Sequence, residues 1–378
     1  MASMRVPNAL SFQKQILIGL TFFFLSLMLF DWGFSGLQIG ILMSAISFVQ
    51  LFSSFPIGAI NDRLSIRAVI ITGMLLESAF FAGLFLFRDF WLVLFSFIAG
   101  GLGGNMIDVS VRSLTFKVLG NDGKGRKLGI YQIATTGGFG VGTTLGGLLL
   151  FGMSYSGVLL LTSVAFLLLA AASAMIPDVE RIRFPMRDYR KIILRRSTAL
   201  FLLPLFLFGI HWGAEHTSYS LFLRQDLGLG LLYSGLYMGI PVIILAAVSL
   251  YIGKRIDRKG EHHRTAFFAG LLLSGFGHIM MIFPPAPLSF AFRVIHEIGD
   301  GMAAVSYNLS FAKIFKVERI AGETSAAYTV MIIGNILGSL TFGPLGYAYG
   351  YAWPLAISGA VTLVSLAVLY LSRNRIGL

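Results

Sequence analysis

Three ionisable residues share one long apolar run: Arg293, Glu297 and Asp300. Their i, i+4, i+7 spacing puts them on one face of a helix. Arg293 and Glu297 are placed to form an ion pair that offsets their burial, which leaves Asp300 as the carboxylate able to take up and release a proton. Glu215 lies at comparable depth in another apolar run, and His211, His216, His278 and His296 accompany these groups. The chemistry within reach is proton exchange. A protonated carboxylate is neutral and lowers the cost of closing a dry cavity, whereas the ionised form favours a cationic occupant, so the two ligands bias two states oppositely. Glu215 and Asp300 are the expected protonation pair, with Glu297, Arg293 and Asp31 as associated groups. The alternative is a closed structural network of Arg293, Glu297 and Asp300. Asp31 ends the first apolar run and reads first as a helix-end carboxylate, with a gate or a second proton site as the alternatives. Glu77 lies in the middle of the third run with no legible partner.

Such groups are costly in a bilayer, about 2.5–3.5 kcal/mol each at its centre, unless they line a cavity. The elements that must hold them are membrane spans. Of 378 residues, 56% are hydrophobic and only 12% charged, against about 25% charged in soluble domains. Mean hydropathy is +0.81. Twelve apolar segments are expected at about 14–31, 35–60, 67–87, 90–112, 127–150, 155–176, 198–222, 230–252, 265–283, 287–313, 323–348 and 351–372. Each can cross a hydrocarbon core of about 30 Å as a helix. They are too long and too uniformly apolar for barrel strands. The first run has no small-residue cleavage site behind it and reads as a retained helix.

The net charge of +12 is placed by topology, not by nucleic acid. Twenty-six of the 29 Lys and Arg, Lys14 included, group into every second connection. Basic connections stay cytoplasmic, so both termini are expected on the cytoplasmic side of the cell (inner or plasma) membrane. The basic stretch at the midpoint divides the chain into an N-terminal six-helix bundle (1–176), a cytoplasmic linker (177–197) and a C-terminal six-helix bundle (198–378). The fold class is an all-α membrane protein of twelve helices in two pseudo-symmetric bundles.

An internal repeat supports that division. Gly58-Ala59-Ile60-Asn61-Asp62-Arg63 reads against Gly253-Lys254-Arg255-Ile256-Asp257-Arg258 at an offset of 195. Gly138, Gly142 and Gly147 read against Gly334, Gly338 and Gly343 at an offset of 196. In the loop motif, Gly58 would let a backbone approach closely. Asp62 can accept from a helix N-terminus or pair with a basic residue. Arg63 and Arg67 can reach Asp108 at the end of the fourth run. With Asp257 and Arg258 in the second copy, these residues would form a conformational latch; plain positive-inside topology is the alternative. The glycines Gly138, Gly142, Gly146, Gly147, Gly334 and Gly338 are expected to let helices pack closely.

The loop motif at Gly58, Asp62, Arg63, Ser65 and Arg67 resembles the signature of the major facilitator superfamily, and the resemblance covers nearly the whole chain. The second copy keeps Gly253, Asp257, Arg258 and Gly260. The fifth-helix glycines resemble the drug–proton antiporter signature of the bacterial twelve-helix members, with Thr143 where that signature has proline and Ser96-Phe97 near the place of its fourth-helix arginine. A Glu in the seventh helix with an Asp in the tenth is similar to the acidic pair of some bacterial multidrug–proton antiporters. The resemblance implies a secondary active transporter that works by alternating access. Proton-coupled efflux of amphipathic or cationic compounds leads; a lipid or glycolipid flippase and a metabolite or sugar transporter are the alternatives.

For such a substrate, Trp212, Tyr233 and Tyr237 could supply aromatic contact and cation–π stabilisation, with Asn105 and Asn308 as polar cavity groups. No enzyme is expected. His296-Glu297 opens like a zinc-protease motif, but Asp300 stands at the second histidine, and there is no cysteine. No cofactor or metal is expected beyond protons as coupling ion. The expected partners are a small amphipathic substrate and the lipid bilayer, with no nucleic acid, and the protein is expected to be a monomer.

Overall fold

The computed structural model describes residues 4–63, 65–118, 124–176, 196–259, 263–314 and 320–376. Every regular element among them is helical: α1 (Arg5–Gly19), α2 (Leu25–Asp31), α3 (Gly36–Arg63), α4 (Ile66–Leu86), α5 (Phe90–Val118), α6 (Lys124–Gln132), α7 (Gly138–Gly152), α8 (Tyr155–Ser173), α9 (Arg196–Gln225), α10 (Leu231–Lys259), α11 (His263–Met280), α12 (Ala286–Ile314), α13 (Ile320–Tyr349) and α14 (Ala352–Ile376). A 3₁₀ turn at Phe22–Phe24 joins α1 to α2, and a π turn at Ile133–Gly137 joins α6 to α7, so each pair makes one span. The result is twelve spans. Nine of them, over the described residues, satisfy both the length and the apolar composition needed to cross a bilayer. The other three, α9, α11 and α12, do not meet that measure over their described residues; they carry Glu215, His278 and the Arg293–Asp300 group.

Most span ends agree with the sequence expectation within a few residues, but the fourth and eighth spans run on to Val118 and Lys259, past the expected 112 and 252, and the start also differs. The first span begins at Arg5, nine residues early, so Lys14 lies within α1 and is buried, not in a terminal loop. The linker expected at 177–197 falls outside the described residues apart from its last two.

The packing repeats with a six-span offset. Spans 1 and 5, 2 and 4, 3 and 4, and 3 and 6 pack together; so do their counterparts 7 and 11, 8 and 10, 9 and 10, and 9 and 12. The halves meet through spans 5 with 8 and 2 with 11, a pair of contacts the same offset interchanges. Glycines make these approaches possible. A Cβ at Gly142 or Gly146 would collide with the backbone of Ile16 or Leu20 on the first span, and one at Gly334 or Gly338 with that of Phe206 or Ile210 on the seventh. Gly147 instead faces Gly235 across the halves, where a Cβ would come within 2.8 Å of its Cα.

At the end away from the basic connections, both halves contribute to an apolar cluster that includes Phe23, Phe24, Leu27, Tyr219, Phe222 and Tyr351. Ser26 and Ser220 are hydrogen-bonded across it at 2.8 Å. That end is closed.

Candidate functional site

Between the halves, from mid-bundle toward the basic connections, lies a cavity of about 460 Å³. Its N-half wall comes from Gln15, Phe22 and Phe23 of the first span, Asp108, and Gln132, Thr135, Thr136 and Phe139 of the fifth. Its C-half wall includes Phe208, Trp212, Glu215, His216, Arg293, Glu297, Asp300 and Tyr307. The two interruptions of helical regularity, in the first and fifth spans, both fall on this wall. A π turn shifts the side chains after it around the helix axis, and here it carries Thr135 and Thr136.

Arg293 is the centre of the charged site. Its side chain is 0% exposed. One Nη donates to Glu215 Oε1 at 2.8 Å, and the other is paired with Glu297 one turn along α12. The guanidinium lies 4.5 Å from the Tyr219 ring centroid and 3.1 Å from Met238 Sδ. Two carboxylates on one buried guanidinium recover desolvation energy that neither ion could recover alone. Glu215, expected with Asp300 as a protonation pair, is hydrogen-bonded to Arg293 in the structure. Asp300 contacts no arginine among the described residues. Its Oδ2 lies 3.7 Å from His296 Nε2, too long for a good hydrogen bond, and its buried Oδ1 has no partner.

Three imidazoles sit behind this group. The ring centroids of His211, His278 and His296 lie 4.3, 4.5 and 5.2 Å apart, and all three are fully buried. Together with Glu215 their ligand atoms lie within 4.8 Å of one another; His296, Glu297 and Asp300 form a second such group.

In the N-half, Asp108, which lines the cavity, pairs with Lys14 at 3.0 Å. Arg67 donates to the carbonyl of Ala174 instead. The side chains of Asp62 and Arg63 lie outside the described residues. Gly58 has open space around it, so no backbone approach requires it. In the second loop, Arg258 is exposed, and Asp257 accepts from the backbone N–H of Arg126 at 3.0 Å, at the start of α6 and across the halves.

Several expected cavity groups lie elsewhere. Tyr233 is 64% exposed. Tyr237 is buried in the closed end against Ser289, 2.6 Å away. Asn105 donates to Ser53 and Ser54 within the N-half. Asn308 bonds the Ala304 carbonyl and accepts from Tyr328 beside the cavity wall. Asp31 is exposed, accepts from Tyr155 at 3.2 Å and does not line the cavity. Trp212 does line the cavity, with Phe208 at 5.5 Å. Lys14, Gln15, Gln132 and the two threonines were missed. Lys14 sat in a polar terminal stretch, and the others carry no charge to mark them in an apolar run.

The family model described as Major Facilitator Superfamily matches residues 11–266 and 261–377. The chain belongs to the major facilitator superfamily. It is a multi-pass membrane transporter of that superfamily. Over 166 residues it is 30% identical to the multidrug resistance protein MdtH of Shigella boydii serotype 4 (strain Sb227), covering 43% of this chain and 41% of that protein. The match to MdtH of Escherichia coli (strain SMS-3-5 / SECEC) is the same in identity and extent. The match thus spans about two fifths of the length of these curated relatives. Among solved structures, the chain is similar to a variant of the nucleoside transporter NupG (TM-score 0.79, 17% identity, 97% of this chain and 99% of that one). It is also similar to the human organic anion transporter MFSD10 (TM-score 0.72, 17% identity, 98% and 100%). A bacterial homolog of the human lysosomal transporter Spinster gives a TM-score of 0.75 at 16% identity, covering 98% of this chain and 95% of that one. At these identities the structural likeness speaks for the fold.

Proposed function

We propose that this transporter exports amphipathic cations from the side bearing its basic connections, taken as cytoplasmic, in exchange for protons, acting as a monomer in the cell membrane. One observation carries the reading. Arg293 has two carboxylate partners, while Asp300, on the same helix face and the same cavity wall, has no Lys or Arg partner among the described residues and faces only His296 Nε2, at 3.7 Å. A buried carboxylate without a cationic partner is unfavourable as an ion and is relieved by a proton or by a cationic substrate. The two occupants then compete for one charge.

The wall supports the substrate class. Phe22, Phe139, Phe208, Trp212 and Tyr307 offer aromatic faces around Asp108, Glu215, Glu297 and Asp300, a setting for cation–π and ionic contact together. The partial similarity to MdtH agrees with it. A second reading rests on Gln15, Gln132, Thr135 and Thr136, whose amides and hydroxyls on the opposite wall would suit a neutral polar solute such as a nucleoside.

A thermal-shift screen of the purified protein at two pH values separates the two readings, because a ligand that binds only the folded state raises the midpoint. Lipophilic cations should raise it, more at the higher pH, and nucleosides should not. A nucleoside response without a cation response would overturn the reading.

A further inference from the structure

Behind the charged site, spans 7, 9 and 10 bring together His211, His278 and His296, each fully buried. Their hydrogen bonding fixes where the ring protons are. His296 Nδ1 lies 2.9 Å from the Ser274 carbonyl, which can only accept, so Nδ1 carries a proton, while Nε2 faces Glu215 Oε1 at 3.5 Å and Asp300 Oδ2 at 3.7 Å, where a metal ion can take the place of a second proton. Ser358 donates its hydroxyl to the Leu355 carbonyl and therefore accepts from His278 Nε2 at 3.3 Å. That leaves His278 Nδ1 with the lone pair. His296 Nε2, His278 Nδ1 and both nitrogens of His211 are buried without a hydrogen-bond partner.

Unpartnered buried polar atoms are uncommon and call for an explanation, commonly a water or an ion. Here four of them gather in one place, beside a carboxylate already anchored by Arg293. The pattern is that of a metal site. Each of two ligand imidazoles is tied through its far N–H to a fixed oxygen, which sets its tautomer and orientation. The charge count agrees. Glu215, Glu297 and Asp300 with Arg293 leave two uncompensated negative charges when all are ionised, and one divalent ion cancels both.

We propose that His211, His278, His296 and Glu215 bind a divalent transition metal of the zinc class, which ties spans 7, 9 and 10 together at the back of the transport site. Three imidazoles and one carboxylate match the ligand preference and coordination number of zinc. The ligand atoms, within 4.8 Å of one another, must close to about 3.4 Å for a tetrahedral sphere with bonds of about 2.1 Å. His211 and His278 do not line the cavity. Glu215 does line it, so His211 and His278 are the ligands whose removal tests the metal site apart from the export reading.

The test uses the full-length protein in detergent, with any polyhistidine tag removed. It is stripped with a chelator, equilibrated with zinc, desalted and assayed for metal by mass spectrometry. About one zinc per chain is expected, with a raised thermal midpoint. His211→Ala and His278→Ala should each lose at least five-fold in bound zinc. The control H262A/H263A, which removes the adjacent histidine pair of the basic loop, should retain it. Cobalt substitution of the wild-type protein should give intense visible bands of tetrahedral geometry, a readout that needs no variant to fold. Wild-type protein that holds no zinc and shows no tetrahedral cobalt spectrum overturns the proposal. So does zinc retained in monodisperse His211→Ala and His278→Ala.

Discussion

Arg293 on α12 donates to Glu215 on α9 at 2.8 Å, bridging 78 residues of sequence in the interior of the C-half. The same guanidinium holds Glu297. Removing it leaves two carboxylates buried and unpaired, a loss of about 3–5 kcal/mol by comparison with other broken buried pairs. Arg293→Met should lower the thermal midpoint by many degrees, and adding Glu215→Gln and Glu297→Gln should restore part of the loss. A single variant as stable as wild type would show that the ion triad contributes nothing to the fold.

The Lys14–Asp108 pair on the opposite wall predicts a smaller effect. Asp108 keeps 38% of its side-chain exposure, so solvent relieves much of the cost of losing its partner. Lys14→Met should destabilise by about 1 kcal/mol, and in a double-mutant cycle with Asp108→Asn the two changes should be non-additive. Strict additivity would mean that the pair is not coupled.

Glycines on the spans separate into those that permit packing and those that do not. Gly142→Val and Gly338→Val would drive side chains into the backbones of Ile16 and Ile210. Both should abolish recovery of folded protein. Gly58→Ala meets open space and should change stability by less than about 0.5 kcal/mol. A large loss from Gly58→Ala would indicate that the loop motif packs in another state of the cycle.

Much of this architecture was legible because it depends on gross apolar length and on charge. Twelve runs long enough to span, a basic residue in every second connection, and two motifs at nearly one offset require no knowledge of partners. The charged face of α12 was legible for the same reason, since helical spacing fixes Arg293, Glu297 and Asp300 relative to one another. Pairings between distant spans were not. Nothing in the sequence says that Glu215 rather than Asp300 reaches Arg293, or that Asp108 meets Lys14, because those distances depend on how helices rotate about their axes. Tyr237 and Asn105 failed as cavity residues on the same ground: their depth was readable, but their facing was not.

The Asp257 contact with the N–H of Arg126 crosses the halves at the basic end. A carboxylate at a helix N-terminus is worth about 0.3–1 kcal/mol, enough to shift the population of two access states severalfold. Asp257→Ala should change the transport rate while leaving substrate affinity in a binding assay within about two-fold, a small part of the 1.4 kcal/mol that makes a factor of ten. A matching change in affinity would place its action at the binding site instead.

The most direct test of the export reading is substrate-driven proton movement in proteoliposomes, followed with a trapped pH dye after addition of a lipophilic cation. Wild-type protein should move protons opposite to the cation. Asp300→Asn should still exchange the cation downhill but move no protons. Proton movement in Asp300→Asn equal to that of wild type would contradict the assignment of coupling to this carboxylate.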